Sequence, residues 1–170
     1  MPTDRLAFHE MTVDDLDDMS ELLGDPEVMR FYDRPKTRKE AEGWIEWNQR
    51  LYADHGYGLW LLRLRETGDF VGDCGLTQQH VDGRNYVEMG YHVRTGLQRG
   101  GLATEAATAC RRYAAEQLGL DYLIAIIDPD NRPSQRVAEK IGLTAAWRTT
   151  TTNEGRPCVI FAGDPREAEQ

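Results

Sequence analysis

The chain has 170 residues and a mass of 19.4 kDa, one domain's worth, and its 40% hydrophobic and 29% charged residues are a globular composition that excludes disorder and collagen. Twenty Lys+Arg against 29 Asp+Glu leave a formal net charge of −9, which argues against a nucleic-acid partner held through phosphates and mildly for a cationic small molecule. No apolar run is long enough for a membrane span, Met1–Glu10 lacks the pattern of a secretory leader, and Cys74, Cys110 and Cys158 are widely spaced with no CxxC or HExxH nearby, so the expectation is a reduced, cytoplasmic protein without a metal.

In chain order, Leu6–Phe8 reads as a short first strand. Thr12 is an N-cap ahead of Asp14 and Asp15, and Leu16, Met19, Leu22 and Leu23 recur at helical spacing until Gly24. Thr37 with Glu40 three residues on is a capping box, and Ala41, Trp44, Ile45, Asn48, Leu51 and Tyr52 form one face of the helix it starts. Tyr57–Arg65 is apolar at nearly every position, as suits a strand covered on both faces. Phe70–Gln78 is the next strand, with Gly72 and Gly75 suggesting a bulge, and Val81–Arg84 turns the chain. In the strand Asn85–Val93, Val87, Met89, Tyr91 and Val93 alternate with Glu88, Gly90 and His92.

A glycine-rich loop, Arg94–Gly101, precedes the helix Leu102–Leu118, whose stripe of Ala103, Ala106, Ala107, Cys110 and Ala114 suits close packing on a sheet. Tyr122–Ile127 is a buried strand, Pro133–Ile141 a short helix closed by Gly142, and Thr144–Thr152 with Arg156–Phe161 a hairpin, threonine favouring strand. The order predicts an α+β (mixed α/β) fold: a mixed, mostly antiparallel sheet of about seven strands with a βαβ crossover and about four helices. One domain spans residues 1–163, and the polar segment 164–170 reads as a frayed, disordered tail.

Two segments can carry chemistry. Gln98-Arg99-Gly100-Gly101-Leu102-Ala103 joins a strand to a helix, where glycines let the backbone approach a ligand and the helix N-terminus favours phosphate; a plain connector has the same composition. It is neither a P-loop nor GxGxxG. Asn131-Arg132-Pro133-Ser134 begins the last helix, and an N-cap followed by proline in the first turn explains it equally well.

With Asp25–Met29, Val71–Leu76, Val87–Tyr91, Gln98–Ala106 and Asn131–Leu143 in this order, residues 5–161 resemble the GNAT superfamily of acyl-CoA-dependent N-acetyltransferases, and within it the ribosomal-protein N-terminal (RimJ/RimL-like) branch. The resemblance implies acetyl-CoA as acyl donor. Gln98, Arg99, Gly100, Gly101, Leu102, Ala103 and Thr104 would bind its pyrophosphate, Tyr91, His92 and Val93 would pair with the pantetheine arm, and Asn131 would contact that arm with Ser134 near the thiol. Many relatives carry a tyrosine on the last helix as proton donor; Val137 and Ala138 stand there, leaving Ser134. Glu88 is the expected base and a substrate contact, with a structural strand carboxylate as the other reading; His92, on the same face, is the rival base or a structural neighbour.

Phe31, Tyr32, Arg34, Trp44 and Trp47 are candidates for selecting the acceptor, Phe31 and Tyr32 foremost because they lie in a loop, whereas Trp44 also suits the core. The expected activity is acetyl transfer from acetyl-CoA to a primary amine, on a protein N-terminus or a small molecule. The alternative is an acyl-CoA-binding module without turnover. The resemblance also allows a homodimer, and no nucleic-acid or membrane partner is expected.

Overall fold

The computed structural model describes residue 1 and residues 3–167. Seven strands form one sheet in the order β1-β2-β3-β4-β5-β7-β6. The strands are β1 Leu6–His9, β2 Leu59–Leu64, β3 Phe70–Val81, β4 Arg84–Val93, β5 Leu123–Ile127, β6 Thr144–Thr149 and β7 Cys158–Gly163; the helices are α1 Leu16–Gly24, α2 Arg38–His55, α3 Leu102–Glu116 and α4 Arg132–Lys140. Every neighbouring pair is antiparallel except β4 and β5, which are parallel, as the βαβ order requires.

Alternation in β2 explains both layers. Leu59 and Leu61 pack with Met19, Leu22, Leu23 and Ile45 of α1 and α2, whereas Trp60 and Leu62 join the cluster containing Ala106, Ala107, Cys110 and Ala114 of α3. Those four α3 positions are fully buried, so the small-residue stripe brings α3 close to the sheet. Asn48, on the inner face of α2, is buried but satisfied: its Oδ1 accepts from Leu59 N–H at 2.8 Å and its Nδ2 donates to the Trp44 carbonyl.

Local chemistry sets the boundaries. Thr37 and Glu40 form the expected capping box at the start of α2. Thr12 and Asp15 instead cap a short 3-10 turn, Val13–Asp15, that leads into α1. The bulge lies between Phe70 and Gly72, where the β2–β3 register shifts. Gly75 is outside it: a Cβ there would stand 2.0 Å from the Gly58 carbonyl oxygen, so the glycine serves a close approach of β2 to β3. β6 ends at Thr149, short of the expected Thr152, because the Thr151 N–H bonds back to the Thr149 hydroxyl and the Thr151 hydroxyl to Asp82.

At the C-terminus, Pro165 is buried, Asp164 pairs with Arg166, and Arg111 donates to the Glu167 carbonyl at 2.9 Å. The part of the expected frayed tail at 164–167 is therefore tied to α3, and 168–170 lie outside the described residues.

Candidate active site

β4 and β5 share one register position, Glu88 opposite Ile124. Beyond it toward their C-terminal ends the two strands are not paired, so the backbone of Tyr91, His92 and Val93 has β3 on one side and no strand ladder to β5 on the other. β4 then runs into the glycine-rich loop. Arg99 and Gly101 are both left-handed there (φ 66° and 79°), and Gly101 is the N-cap of α3.

Arg5 and Glu105 hold this loop from behind. The Arg5 guanidinium donates to the Gly100 carbonyl at 2.8 Å and to Glu105 at 2.6 Å, while Glu105 also accepts from the Thr3 hydroxyl. The Gln98 side chain donates to the Val93 carbonyl, which fastens the loop to the end of β4. Among the described residues, the backbone N–H groups of Arg99, Gly100, Gly101, Leu102, Ala103 and Thr104 find no protein acceptor. Such a row at a helix N-terminus suits a phosphate or pyrophosphate. The Arg99 side chain is exposed.

Asn131 caps α4, its Oδ1 accepting from the Ser134 N–H at 3.2 Å, as the capping reading expected. Its Nδ2 has no partner among the described residues and can serve a ligand. Ser134 faces Tyr91: the Tyr91 hydroxyl donates to the Ser134 carbonyl at 2.7 Å, and Ser134 Oγ donates to the Tyr91 oxygen at 3.2 Å. Tyr91 thus brings a hydroxyl as well as backbone to the site, a role not read from the sequence.

The opposite face of β4 presents Glu88, Gly90 and His92. Glu88 accepts from its cross-strand neighbour Thr77 at 3.1 Å. Burial by surrounding protein pushes its carboxyl up to about 7, against the opposing pull of Thr77, Gln79, the Ile126 N–H and His92. That places a carboxyl in the range of a general base at neutral pH.

His92 is buried between two oxygens. Nδ1 lies 2.7 Å from Asp73 Oδ1, and Nε2 lies 2.7 Å from the Tyr32 hydroxyl. Asp73 is fully buried, and its second oxygen accepts from Trp44 Nε1 at 3.2 Å. Burial opposes a charge on the ring, but the charge and hydrogen bond of Asp73, with Glu88 beyond, leave its pKa raised. Trp44 is therefore more than a core residue, and Asp73, unremarked in the sequence, orients His92. Its signal was a lone acid in an otherwise apolar and glycine-rich strand segment.

The remaining acceptor candidates divide. The Tyr32 ring is partly exposed with its hydroxyl turned inward to His92. The Phe31 carbonyl accepts from Arg156, and its ring lies under the Arg30 guanidinium. Arg34 is engaged by Glu40 through two bonds of 2.6 and 2.8 Å, so it does not face the site as a free cation. Trp47 packs edge-on against Trp44.

The family model described as an acetyltransferase (GNAT) domain matches residues 5–144. The chain belongs to this family of acyl-CoA-dependent acetyltransferases. An uncharacterized Bacillus subtilis protein, YkkB, is 37% identical over 140 residues, covering 82% of this chain and 80% of its own. The crystal structure of an acetyltransferase from Agrobacterium tumefaciens superposes with a TM-score of 0.82 at 25% identity, covering 95% and 92% of the two chains. RimL, described as a ribosomal L7/L12 α-N-protein acetyltransferase in complex with coenzyme A, shares the fold with a TM-score of 0.75 at 14% identity, covering 95% of each chain.

Proposed function

We propose that this protein transfers the acetyl group of acetyl-CoA to a primary amine by direct attack of the amine on the thioester. The observation that carries the reading is that one strand, β4, joins the two halves of such a site. Its end leads into the row of free N–H groups, and its middle holds Glu88 where β4 and β5 part.

In this reading the N–H groups of Arg99–Thr104 bind the pyrophosphate, the free backbone edge of Tyr91–Val93 pairs with the pantetheine amides, and Asn131 Nδ2 donates to that arm. Acetyl-CoA supplies an activated acyl carbon. Glu88, ionised, takes one proton from the ammonium form of the acceptor, directly or through a water, and leaves a neutral amine. As the new C–N bond forms and the C–S bond breaks, Ser134, hydrogen-bonded to Tyr91, gives its proton to the departing thiolate and is reprotonated by the second proton that the nitrogen sheds. The likeness to RimL keeps a protein N-terminus among the acceptors, beside small-molecule amines.

The test is thiol release from acetyl-CoA against a panel of amines and N-terminal peptides, with the thermal shift produced by CoA measured in parallel. Turnover on one acceptor class with stabilisation by CoA is the expected result. No stabilisation by CoA overturns the assignment of the loop.

A further inference from the structure

Arg156 lies in the connection between β6 and β7, just before β7 begins. Its Nη2 donates to the Phe31 carbonyl at 2.5 Å, and its Nε is buried with no partner. It forms no ion pair among the described residues. A buried guanidinium donor without an acceptor is costly, and a carboxylate is the partner whose shape its fork fits.

Its bond to Phe31 sets this cation beside the candidate acceptor residues. Phe31 precedes Tyr32, whose hydroxyl turns in to His92, and the positive charge of Arg156 is felt at that hydroxyl. On the same face of β4, two alternate positions before His92, stands Glu88, with only Gly90 between them. Glu88 and Arg156 both act on the Tyr32 hydroxyl, so an acceptor whose amine lies at Glu88 and which extends past His92 to Tyr32 approaches the guanidinium. Arg156 is the positive charge felt at the Tyr32 hydroxyl, where the carboxylates of Glu88 and Asp73 act in the opposite sense.

We propose that Arg156 binds a carboxylate carried by the acceptor, so that the acceptor is a free amino acid or another amine bearing a carboxylate rather than a peptide N-terminus. The proposal rests on the reading of Glu88 as the group that meets the amine. The competing role for Arg156 is a clamp, a cation that only ties the β6–β7 connection to Phe31.

The experiment compares α-, β- and γ-amino acids with their carboxamides in the thiol-release assay, using wild type, Arg156→Ala and Arg156→Lys. In wild type the acids are expected to exceed the matched amides by at least about tenfold in kcat/KM, the scale of one charge-assisted contact. Arg156→Ala is expected to erase that ratio through KM for the acceptor, and Arg156→Lys to keep part of it, with stabilisation by CoA unchanged. Amides or N-terminal peptides used as well as acids by wild type overturn the proposal, and that comparison needs no variant. So does an equal loss on acids and amides in Arg156→Ala, the signature of a clamp.

If no acceptor is turned over, the transfer reading fails and binding decides this one separately. N-acetyl amino acids should then raise the melting temperature of the CoA-loaded wild type but not of Arg156→Ala, and no rise in wild type overturns the assignment.

Discussion

The hydroxyl of Tyr91 lies 2.7 Å from the carbonyl oxygen and 3.2 Å from Oγ of Ser134, a link from β4 to the first turn of α4. It spans the place where β4 and β5 separate. α4 carries no tyrosine; in the proposed mechanism its first-turn Ser134 is the donor, and Tyr91 of the strand positions it.

Tyr91→Phe should therefore act through Ser134. The expected change is a fall in kcat of about tenfold with KM for acetyl-CoA nearly unchanged, the loss of the two neutral hydrogen bonds by which Tyr91 positions Ser134. Ser134→Ala should cost a similar factor, and the double variant should cost no more than the larger single one, because the two groups act as a pair. Steady-state kinetics on the three variants checks this; fully multiplicative losses contradict it.

The loop offers a second prediction. Gly101 is left-handed with φ 79°, and a Cβ there would sit 3.5 Å from the Arg5 guanidinium, so space permits alanine but the backbone resists it. Gly101→Ala should cost about 1 kcal/mol or more of local strain and weaken CoA binding about fivefold or more. Arg5→Ala, which frees the Gly100 carbonyl and leaves Glu105 without its cation, should weaken CoA binding in the same direction. Isothermal titration with CoA reads both.

The buried polar pair predicts the cost of a missed residue. Removing the Asp73 side chain leaves Trp44 Nε1 and His92 Nδ1 without their acceptor in the core. Asp73→Ala should destabilise the protein by about 3 kcal/mol, measured by urea unfolding, whereas His9→Ala, at an exposed position, should be near neutral.

Stability should also depend on pH with a definite sign. Glu88 and His92 both hold a proton more tightly in the folded protein than their ordinary values of 4.5 and 6.5 allow. Their contribution is complete below those ordinary values and is lost as pH rises through the folded ones, for Glu88 about 7. For Glu88 the span corresponds to at most about 3 kcal/mol. The groups around the pair are Thr77, Gln79, Asp73, Tyr32, Tyr91 and Lys36. The melting temperature should fall between pH 5 and 8, and Glu88→Gln should flatten part of that fall. A wild-type melting temperature that rises over this range contradicts the assignment.

Much of this was legible in the sequence, and the boundary of legibility has physical causes. Period-two alternation placed Glu88 and His92 on one face of β4 and Met89 and Val93 on the other, because half-buried strands write their faces into the chain. The capping box at Thr37 and the glycine loop were local and therefore readable. The His92–Asp73 bond joins residues nineteen apart and the Arg156–Phe31 bond residues 125 apart, and no local pattern encodes such partners. Arg34 was read as an acceptor candidate until the structure gave it Glu40 as a partner, whereas Arg156 was read only as the start of a strand.

The most direct measurement is the pH dependence of kcat/KM for acetyl transfer in wild type and Glu88→Gln, on whichever acceptor the amine panel identifies, with stabilisation by CoA recorded for both. The account predicts a wild-type limb rising through about 7, from the Glu88 carboxyl. It also predicts a loss of about 10²–10⁴-fold in the variant, with that limb gone and CoA binding intact. A Glu88→Gln variant that keeps the wild-type rate and the same limb would contradict it.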